Sequence, residues 1–319
     1  MSETITFEYG AREVARFEGG THVEASLKSQ DELAKEYPGF DIKLLPYDSI
    51  HTPLSGGRQL LDLQPLDYLG IADLIRSYNQ RGIPFMVPFN GGTSLPRSFR
   101  IDLLSDERLE VARRVLEVLA ENGQRYGVQN SVTVARDDVR ESVRSAFPDL
   151  SILASSLKFV GGYEGEFKGF KEYEDGFRDF DKVVIVNQHS TPDFLHRYRE
   201  WVQKMVVFLT LGCDNRNLSK CFTHYAILDP SDGLDPDFNW RRFPGRILYI
   251  PNDSPYYPLQ GDCKPDEKRG TLLLYSIRPF LIKLFEMGVR QFKFPRGEII
   301  NPLHRFIAGQ ALSTFSRKV

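Results

Sequence analysis

The side chains best suited to metal chemistry are concentrated in the stretch LGCDNRNLSKCFTHY, residues 211–225, which holds Cys213, Cys221 and His224. A buried thiolate needs a compensating charge, which a zinc ion or an iron-sulfur cluster supplies. Seven residues separate the two cysteines, and this spacing is typical of neither a zinc knuckle nor a ferredoxin. The alternative interpretation is that each cysteine is a small buried hydrophobic residue and His224 is its hydrogen-bonded neighbour.

The third cysteine, Cys263, lies in the polar sequence LQGDCKPDEKRG, residues 259–270. A buried structural role is less natural in such a loop. Cys263 reaches the same site only if the fold brings the two loops together, as the strand-end loops of a barrel do. The sequence therefore predicts Cys213, Cys221, Cys263 and His224 as candidate metal ligands, with simple packing as the alternative.

Composition limits the class of protein and its partners. Lys and Arg number 41 against 43 Asp and Glu, so the net charge of -2 creates no overall field that attracts nucleic acid or an anionic membrane. Three cysteines in 319 residues do not indicate a secreted disulfide framework. Because we find neither a signal-peptide pattern nor an uncharged apolar run of about 18 residues, we expect a soluble cytoplasmic protein with no membrane segment.

Apolar runs alternate with helical patterns along the chain. Helical patterns such as SDERLEVARRVLEVLAENG, with Ser105 as its predicted cap, separate the runs. The predicted strands are 41–46, 83–90, 128–135, 151–160, 183–187, 205–212, 246–252 and 289–297. Parallel strands covered by helices fit this order, and eight such units are typical of an α/β TIM-like barrel. We expect an N-terminal extension, residues 1–40, packed on a barrel domain of residues 41–319, and a doubly wound open sheet is the main alternative.

If the chain forms a barrel, its chemistry lies where strands end and helices begin. The candidate residues at these positions are Asn90, Arg136, Lys158, Asn187, the segment 213–224, Asn252 and Arg296. Lys293 lies within the last predicted strand, where side chains alternate between the interior and the helices. An inward lysine needs a partner. Either it forms an ion pair inside the barrel or it binds an anion.

The end of the chain, SIRPFLIKLFEMGVRQFKFPRG (276–297), resembles the closing motif of the collagenase-like peptidase family. That family includes oxygen-independent hydroxylation proteins acting on ubiquinone precursors and RNA. The motif has an I-R-P start, a helix, a glycine, a strand with F-K and an Arg-Gly pair. The stretches VTVARDDVRESVRSAFPDLSILASSLKFV (132–160) and VVIVNQHSTPDF (183–194) are also similar to that family, and the similarity spans roughly residues 40 to 300.

The resemblance implies a barrel and, in the hydroxylation branch, a 4Fe-4S cluster held by four cysteines. Cys221 and Cys263 lie where two of these are expected. The family's C-L-x-x-C phrase corresponds to Asn217-Leu218-Ser219-Lys220-Cys221 here, with Cys213 displaced four positions upstream. Because the chain has three cysteines, either they hold a cluster with His224, Asn217 or substrate as the fourth ligand, or the cluster has been lost. Zinc is the alternative metal.

Three functional interpretations follow. By resemblance, the protein is an iron-sulfur enzyme, an oxidoreductase that hydroxylates a small or nucleotide-like metabolite without oxygen, with a protein partner in a complex as a further possibility. The second interpretation is a metal-free hydrolase or lyase that uses Asn90, Asn187, Lys293 and Arg296. The third is a non-catalytic barrel scaffold. No membrane partner is expected.

Overall fold

The protein is an α/β barrel of the TIM type. The computed structural model describes residues 3–10, 22–47, 65–89, 102, 104–105, 107–159, 170–185, 192–208, 284–293, 311–313 and 315–316. Within these residues, eight strands form a closed barrel in the order β1-β2-β3-β4-β5-β6-β7-β8, and each strand pair with a described register is parallel. The predicted fold class is confirmed.

The strands follow one another around the barrel in chain order. They are β1 (Glu3–Gly10), β2 (Phe40–Tyr47), β3 (Met86–Phe89), β4 (Ser131–Val134), β5 (Ser151–Ala154), β6 (Lys182–Ile185), β7 (Met205–Phe208) and β8 (Gln291–Lys293). Most are short and almost completely buried. The strands of a parallel sheet are covered on both faces, whereas an antiparallel sheet often has one solvent-exposed face.

Helices connect the strands. The described ones are α1 (His22–Glu36), α2 (Pro65–Asn79), α3 (Glu110–Tyr126), α4 (Asp137–Ala146), α5 (Ser156–Phe159), α6 (Phe170–Asp179) and α7 (Pro192–Arg197). Two 3-10 turns, Glu107–Leu109 and Arg199–Lys204, and short helical stretches at 284–286 and around 311–316 complete the described part.

The first strand differs from the sequence prediction. Residues 1–40 were expected outside the barrel, but β1 lies within that range and pairs with β8. The predicted strand at 246–252 lies outside the described residues, and β7 pairs directly with β8, so no strand separates them. In β1, Ile5, Phe7 and Tyr9 are buried and alternate with polar residues. Such alternation is typical of a strand. The strand was not predicted because its polar residues interrupt any continuous apolar run.

The start of α3 also differs from its prediction. Ser105 does not cap the helix, because the chain enters α3 through the 3-10 turn and Leu109 occupies the N-cap position, without a side-chain hydrogen bond. The predicted cap is therefore wrong. The Ser105 hydroxyl instead donates to Asp102 Oδ2 at 2.8 Å.

One compact unit comprises Met1–Leu45, Ile185–Asp214 and Pro236–Val319. In its described part, β8 lies between β7 and β1. The ring of Phe292 stacks on Phe315 of the last helical stretch, with centroids 5.5 Å apart. Phe7, the register partner of Phe292, therefore also faces the helices. Since strand side chains alternate, Glu8 and Lys293 face the inside of the barrel.

The second compact unit comprises Pro46–Val184 and Asn215–Asp235. Here β3, β4 and β5 pair along their full lengths. The ring centroids of Tyr78 in α2 and of Phe85, which directly precedes β3, are 5.4 Å apart. This contact identifies the helix-facing side of β3. On the opposite side, the Thr133 hydroxyl donates to the Met86 sulfur at 3.1 Å. The same alternation therefore orders both units.

A glycine in α3 permits a close backbone approach. A Cβ atom on Gly123 would lie 2.9 Å from the carbonyl oxygen of Val128, in the connection that leads into β4. We expect Gly123→Ala to lower the free energy of unfolding by about 1–2 kcal/mol, because the steric clash outweighs the better helix propensity of alanine. Urea unfolding measures this change.

The control for Gly123→Ala is Gly39→Ala. A Cβ atom on Gly39 would meet nothing within 4 Å, and this residue does not have a positive φ. Its free energy of unfolding is expected to change by less than about 0.5 kcal/mol. Equal effects of the two substitutions would contradict the steric explanation.

Candidate functional site

A buried ion pair lies on the inner side of β1 and β8. The Lys293 ammonium donates a hydrogen bond to Glu8 Oε2 at 2.6 Å. The Lys293 side chain is 10% exposed and that of Glu8 is 0% exposed. The lysine was predicted to point inward and to need a partner there, and the structure shows that Glu8 is that partner.

The carboxylate of Glu8 is held on both oxygens. Gln291 Nε2 donates to Glu8 Oε1 at 2.6 Å, while Lys293 binds Oε2. The register explains this arrangement: Glu8 lies opposite Lys293, and Gln291 lies two residues earlier on the same face of β8. With both oxygens engaged, the Glu8 side chain is fixed in one orientation.

The pair lies past the middle of the described part of β1, and Lys293 is the last described residue of β8. Two described residues of β1 follow Glu8. Active sites of TIM barrels lie at the carboxyl end of the strands. Glu8, Gln291 and Lys293 lie on the inner side of strands that lead to this end.

An ion pair at this depth has a modest net effect on stability. Removing two charges from water costs several kcal/mol per ion, so a buried pair is often no better for stability than two apolar side chains of similar size. A charged pair inside a barrel is therefore poorly explained by stability alone. Perturbed or paired ionisable groups in such places are candidates for function.

The predicted strand-end residues Arg136 and Lys158 are held by aspartates at the start of α4. Arg136 binds Asp138 through two hydrogen bonds, of 3.0 and 2.8 Å. Lys158 Nζ donates to both carboxylate oxygens of Asp137, at 2.7 and 2.6 Å. The two aspartates lie in the first turn of α4, where the helix dipole favours negative charge. The first pair is local to the start of α4, and the second joins α4 to α5, which follows β5.

The remaining predicted site residues lie outside the described residues. They are Asn90, Asn187, Cys213, Asn217, Cys221, His224, Asn252, Cys263 and Arg296. Across the described residues, no group of three His, Cys, Asp or Glu side chains is arranged to hold a metal ion. The described residues include none of the three cysteines, so the cluster hypothesis stays a prediction.

Sequence reasoning missed Glu8 and Gln291. Glu8 lies in ITFEYG, where alternating apolar residues indicate a strand, and an acidic residue within a buried strand is the signal that was available. Gln291 lies two positions before Lys293 and therefore shares its face. A strand assignment at residues 3–10 would have placed Glu8 within a buried strand, but its pairing with Lys293 and Gln291 follows only from closure of the barrel.

Tyr37 is a further titratable residue, but it lies away from this site. Burial raises the pKa of Tyr37 from 10.0 to about 12, and a hydrogen bond and the negative charge of Glu36 contribute in the same direction. The residue precedes β2, at the amino end of the strands. Its neutral phenol at ordinary pH and its location give it no part in the chemistry of the ion pair.

Comparison with known proteins identifies no family. No family model matches the chain, and no curated protein does. The resemblance to the collagenase-like peptidase family therefore stays a prediction. The fold is a TIM-like barrel with a buried ion pair on the inner side of β1 and β8. In its described part no helix is long and apolar enough to cross a membrane.

One solved structure shows a distant likeness. It is a chitinase from Paenibacillus sp. str. FPU-7, described as a cell-surface-expressed multi-modular enzyme, with 11% identity and a TM-score of 0.34. The match covers 92% of this chain and 27% of the chitinase chain. At this identity and TM-score, the likeness carries no functional information about the present chain.

Proposed function

We propose that the protein is a barrel enzyme that binds a small anionic metabolite at the carboxyl end of the strands and uses the Glu8–Lys293 pair for proton transfer. The supporting observation is the 2.6 Å contact between the two side chains on the inner side of β1 and β8. This corresponds to the metal-free hydrolase or lyase interpretation of the sequence.

The charge of the pair's more accessible member favours an anionic ligand. Glu8 is completely buried, whereas Lys293 keeps some exposure. The lysine is therefore the member of the pair that a ligand is expected to contact. An ammonium group offers three hydrogen-bond donors and no acceptor, which suits carboxylate, phosphate or polarised carbonyl oxygens.

The same contact suits proton transfer. A general acid or base must lie within hydrogen-bond distance of its proton partner, and Lys293 Nζ and Glu8 Oε2 meet this condition. The proton moves between nitrogen and oxygen without a change in the net charge of the pair. Gln291 keeps the Glu8 carboxylate in place during this exchange.

Anion binding tests the proposal. We expect pyruvate, succinate and inorganic phosphate, examined one at a time, to include at least one ligand that raises the melting temperature of the full chain. A ligand at one hundred times its Kd stabilises a protein by about 2.7 kcal/mol. The double variant Glu8→Gln with Lys293→Met, which removes both charges together, is expected to lose this stabilisation. Thermal unfolding monitored by fluorescence measures it.

The matched control is Lys43→Met. Lys43 lies in β2, its side chain is 61% exposed and its nearest described carboxylate, Asp41, is 3.6 Å away. This variant should retain the full ligand effect. A ligand effect that persists in the double variant, or no effect of any of the three anions on the wild-type chain, would contradict the proposal.

A second candidate function rests on the three cysteines, Cys213, Cys221 and Cys263. The resemblance to the hydroxylation proteins favours an iron-sulfur centre, and three thiolates with a fourth ligand from His224 or Asn217 form a chemically suitable donor set. Such a centre supplies redox and Lewis-acid chemistry when it is bound. Asn90, Asn187 and Arg296 would then bind the small or nucleotide-like substrate.

Metal analysis tests this second candidate. Protein purified without oxygen is expected to contain iron and sulfide in near-equal amounts and to absorb visible light, because a cluster requires both elements. Cys221→Ala should abolish the metal content. Colourless wild-type protein, or a Cys221→Ala variant that keeps its metal, would reject the cluster. The alternative metal, zinc, is measured in the same samples.

A further inference from the structure

We infer that Lys293 is a nucleophile that forms an imine with the carbonyl group of the substrate. This inference deepens the proposed function and rests on it, because it specifies the substrate as an anionic aldehyde or ketone. It concerns a covalent step that simple binding of an anion to the ammonium group does not require.

The surroundings of the amine favour such a step. A lysine amine attacks a carbonyl only in its neutral form, so it needs a nearby group that accepts its proton. Glu8 Oε2 lies 2.6 Å from Lys293 Nζ. The 10% exposure of the lysine side chain limits its solvation without closing it off. The amine therefore has a proton acceptor within hydrogen-bond distance and a small exposed fraction of side chain.

The second oxygen of Glu8 makes this acceptor specific. Gln291 donates to Glu8 Oε1 at 2.6 Å, so the oxygen that faces Lys293 is the one left to receive the proton. A carboxylate held in one orientation returns the proton to a group that lies beside Lys293 Nζ. Imine formation needs that return, because the carbonyl oxygen must leave as water.

The protons balance over the complete step. Lys293 Nζ first gives one proton to Glu8 Oε2 and then forms a bond to the carbonyl carbon. The resulting alkoxide oxygen takes a second proton from the nitrogen. Glu8 returns the first proton to this hydroxyl group, the carbon-oxygen bond breaks, and water leaves. The product is a protonated imine beside an ionised Glu8, and no oxidant or reductant takes part.

Reductive trapping tests the inference. The full chain is incubated with pyruvate or with dihydroxyacetone phosphate at neutral pH, treated with sodium borohydride, and analysed by intact mass and peptide mapping. We expect one of the two probes to give a stable adduct on Lys293 at close to one per chain. Adduct formation on the exposed Lys43 should be at least about tenfold lower, because Lys43 lacks a buried carboxylate at hydrogen-bond distance.

Two variants separate a chemical role from a structural one. Lys293→Arg keeps a cation beside Glu8 but has no amine that forms an imine, so it should fold and give no adduct. Glu8→Gln keeps the lysine and removes the proton acceptor, so trapping should slow at least about tenfold and should recover as the pH is raised. A lysine with only a structural role would not show this recovery.

The outcomes also separate this inference from the proposed function. If neither probe modifies Lys293, or if Lys43 is modified as readily, the imine is rejected. An anion that still stabilises wild-type protein but not the double variant would then leave the proposed binding function intact. If Lys293 is trapped, but the thermal experiment finds that anions stabilise the double variant equally, the amine is reactive and the proposed anion site is rejected.

Discussion

Glu8→Ala is expected to lower the free energy of unfolding by about 3–5 kcal/mol, since it removes the carboxylate that compensates the buried charge of Lys293. Glu8 is fully buried and binds Lys293 and Gln291 at once. The substitution therefore removes the acceptor of the Lys293 ammonium and the acceptor of the Gln291 amide at the same time. Urea unfolding monitored by circular dichroism measures the loss.

The control for this prediction removes both charges together. In Glu8→Leu combined with Lys293→Met, both charges of the pair are removed, so the double variant should be at least about 2 kcal/mol more stable than Glu8→Ala alone. It should nevertheless lose anion binding and imine trapping. If the double variant were as unstable as the single one, the pair would be a structural requirement, and its retention would need no functional explanation.

The barrel was predictable because its strands are local features. Each short apolar run bounded by polar residues indicated a buried strand, and the observed β2, β4, β6 and β7 lie within or close to the predicted ranges. The count of eight units then favoured a barrel over an open sheet. β1 was missed because its polar residues concealed the alternation of Ile5, Phe7 and Tyr9. The predicted strand at 246–252 took its place in the count.

The ion pair was predictable only in part. Alternation along a strand placed Lys293 inside the barrel, and the cost of an unpaired inward lysine required a partner. Glu8 is 285 residues away in sequence. Closure of the barrel brings the first and last strands together, and no local pattern encodes that pairing. For the same reason, the sequence alone left the choice between an ion pair and an anion site open.

A second buried polar network was also hidden from sequence reasoning, and it gives a further large prediction. Asn79 at the end of α2 and Asn130 before β4 exchange two amide hydrogen bonds, of 2.9 and 2.6 Å, across 51 positions of sequence. Asn130 also accepts from the Phe85 backbone at 2.7 Å and donates to the Leu119 carbonyl at 2.8 Å. One side chain thus connects α2, α3 and the starts of β3 and β4.

We expect Asn130→Ala to lower the free energy of unfolding by about 3–5 kcal/mol, because it leaves several buried backbone and amide groups without their partner at about 1–3 kcal/mol each. Asn130 is 1% exposed, so water reaches these groups poorly. Urea unfolding measures the loss, and hydrogen exchange at the Phe85 amide reports the broken bond directly.

Asn122→Ala is the matched control for Asn130→Ala. Asn122 is a buried asparagine of α3 whose side chain donates to the carbonyl of Val118 in its own helix, at 2.7 Å. Its loss should cost about 1 kcal/mol, since this bond joins no separate elements. If both variants lost the same stability, the asparagine pair would contribute no more than an ordinary hydrogen bond. A much larger loss for Asn130→Ala would show that the starts of β3 and β4 depend on this side chain for their position.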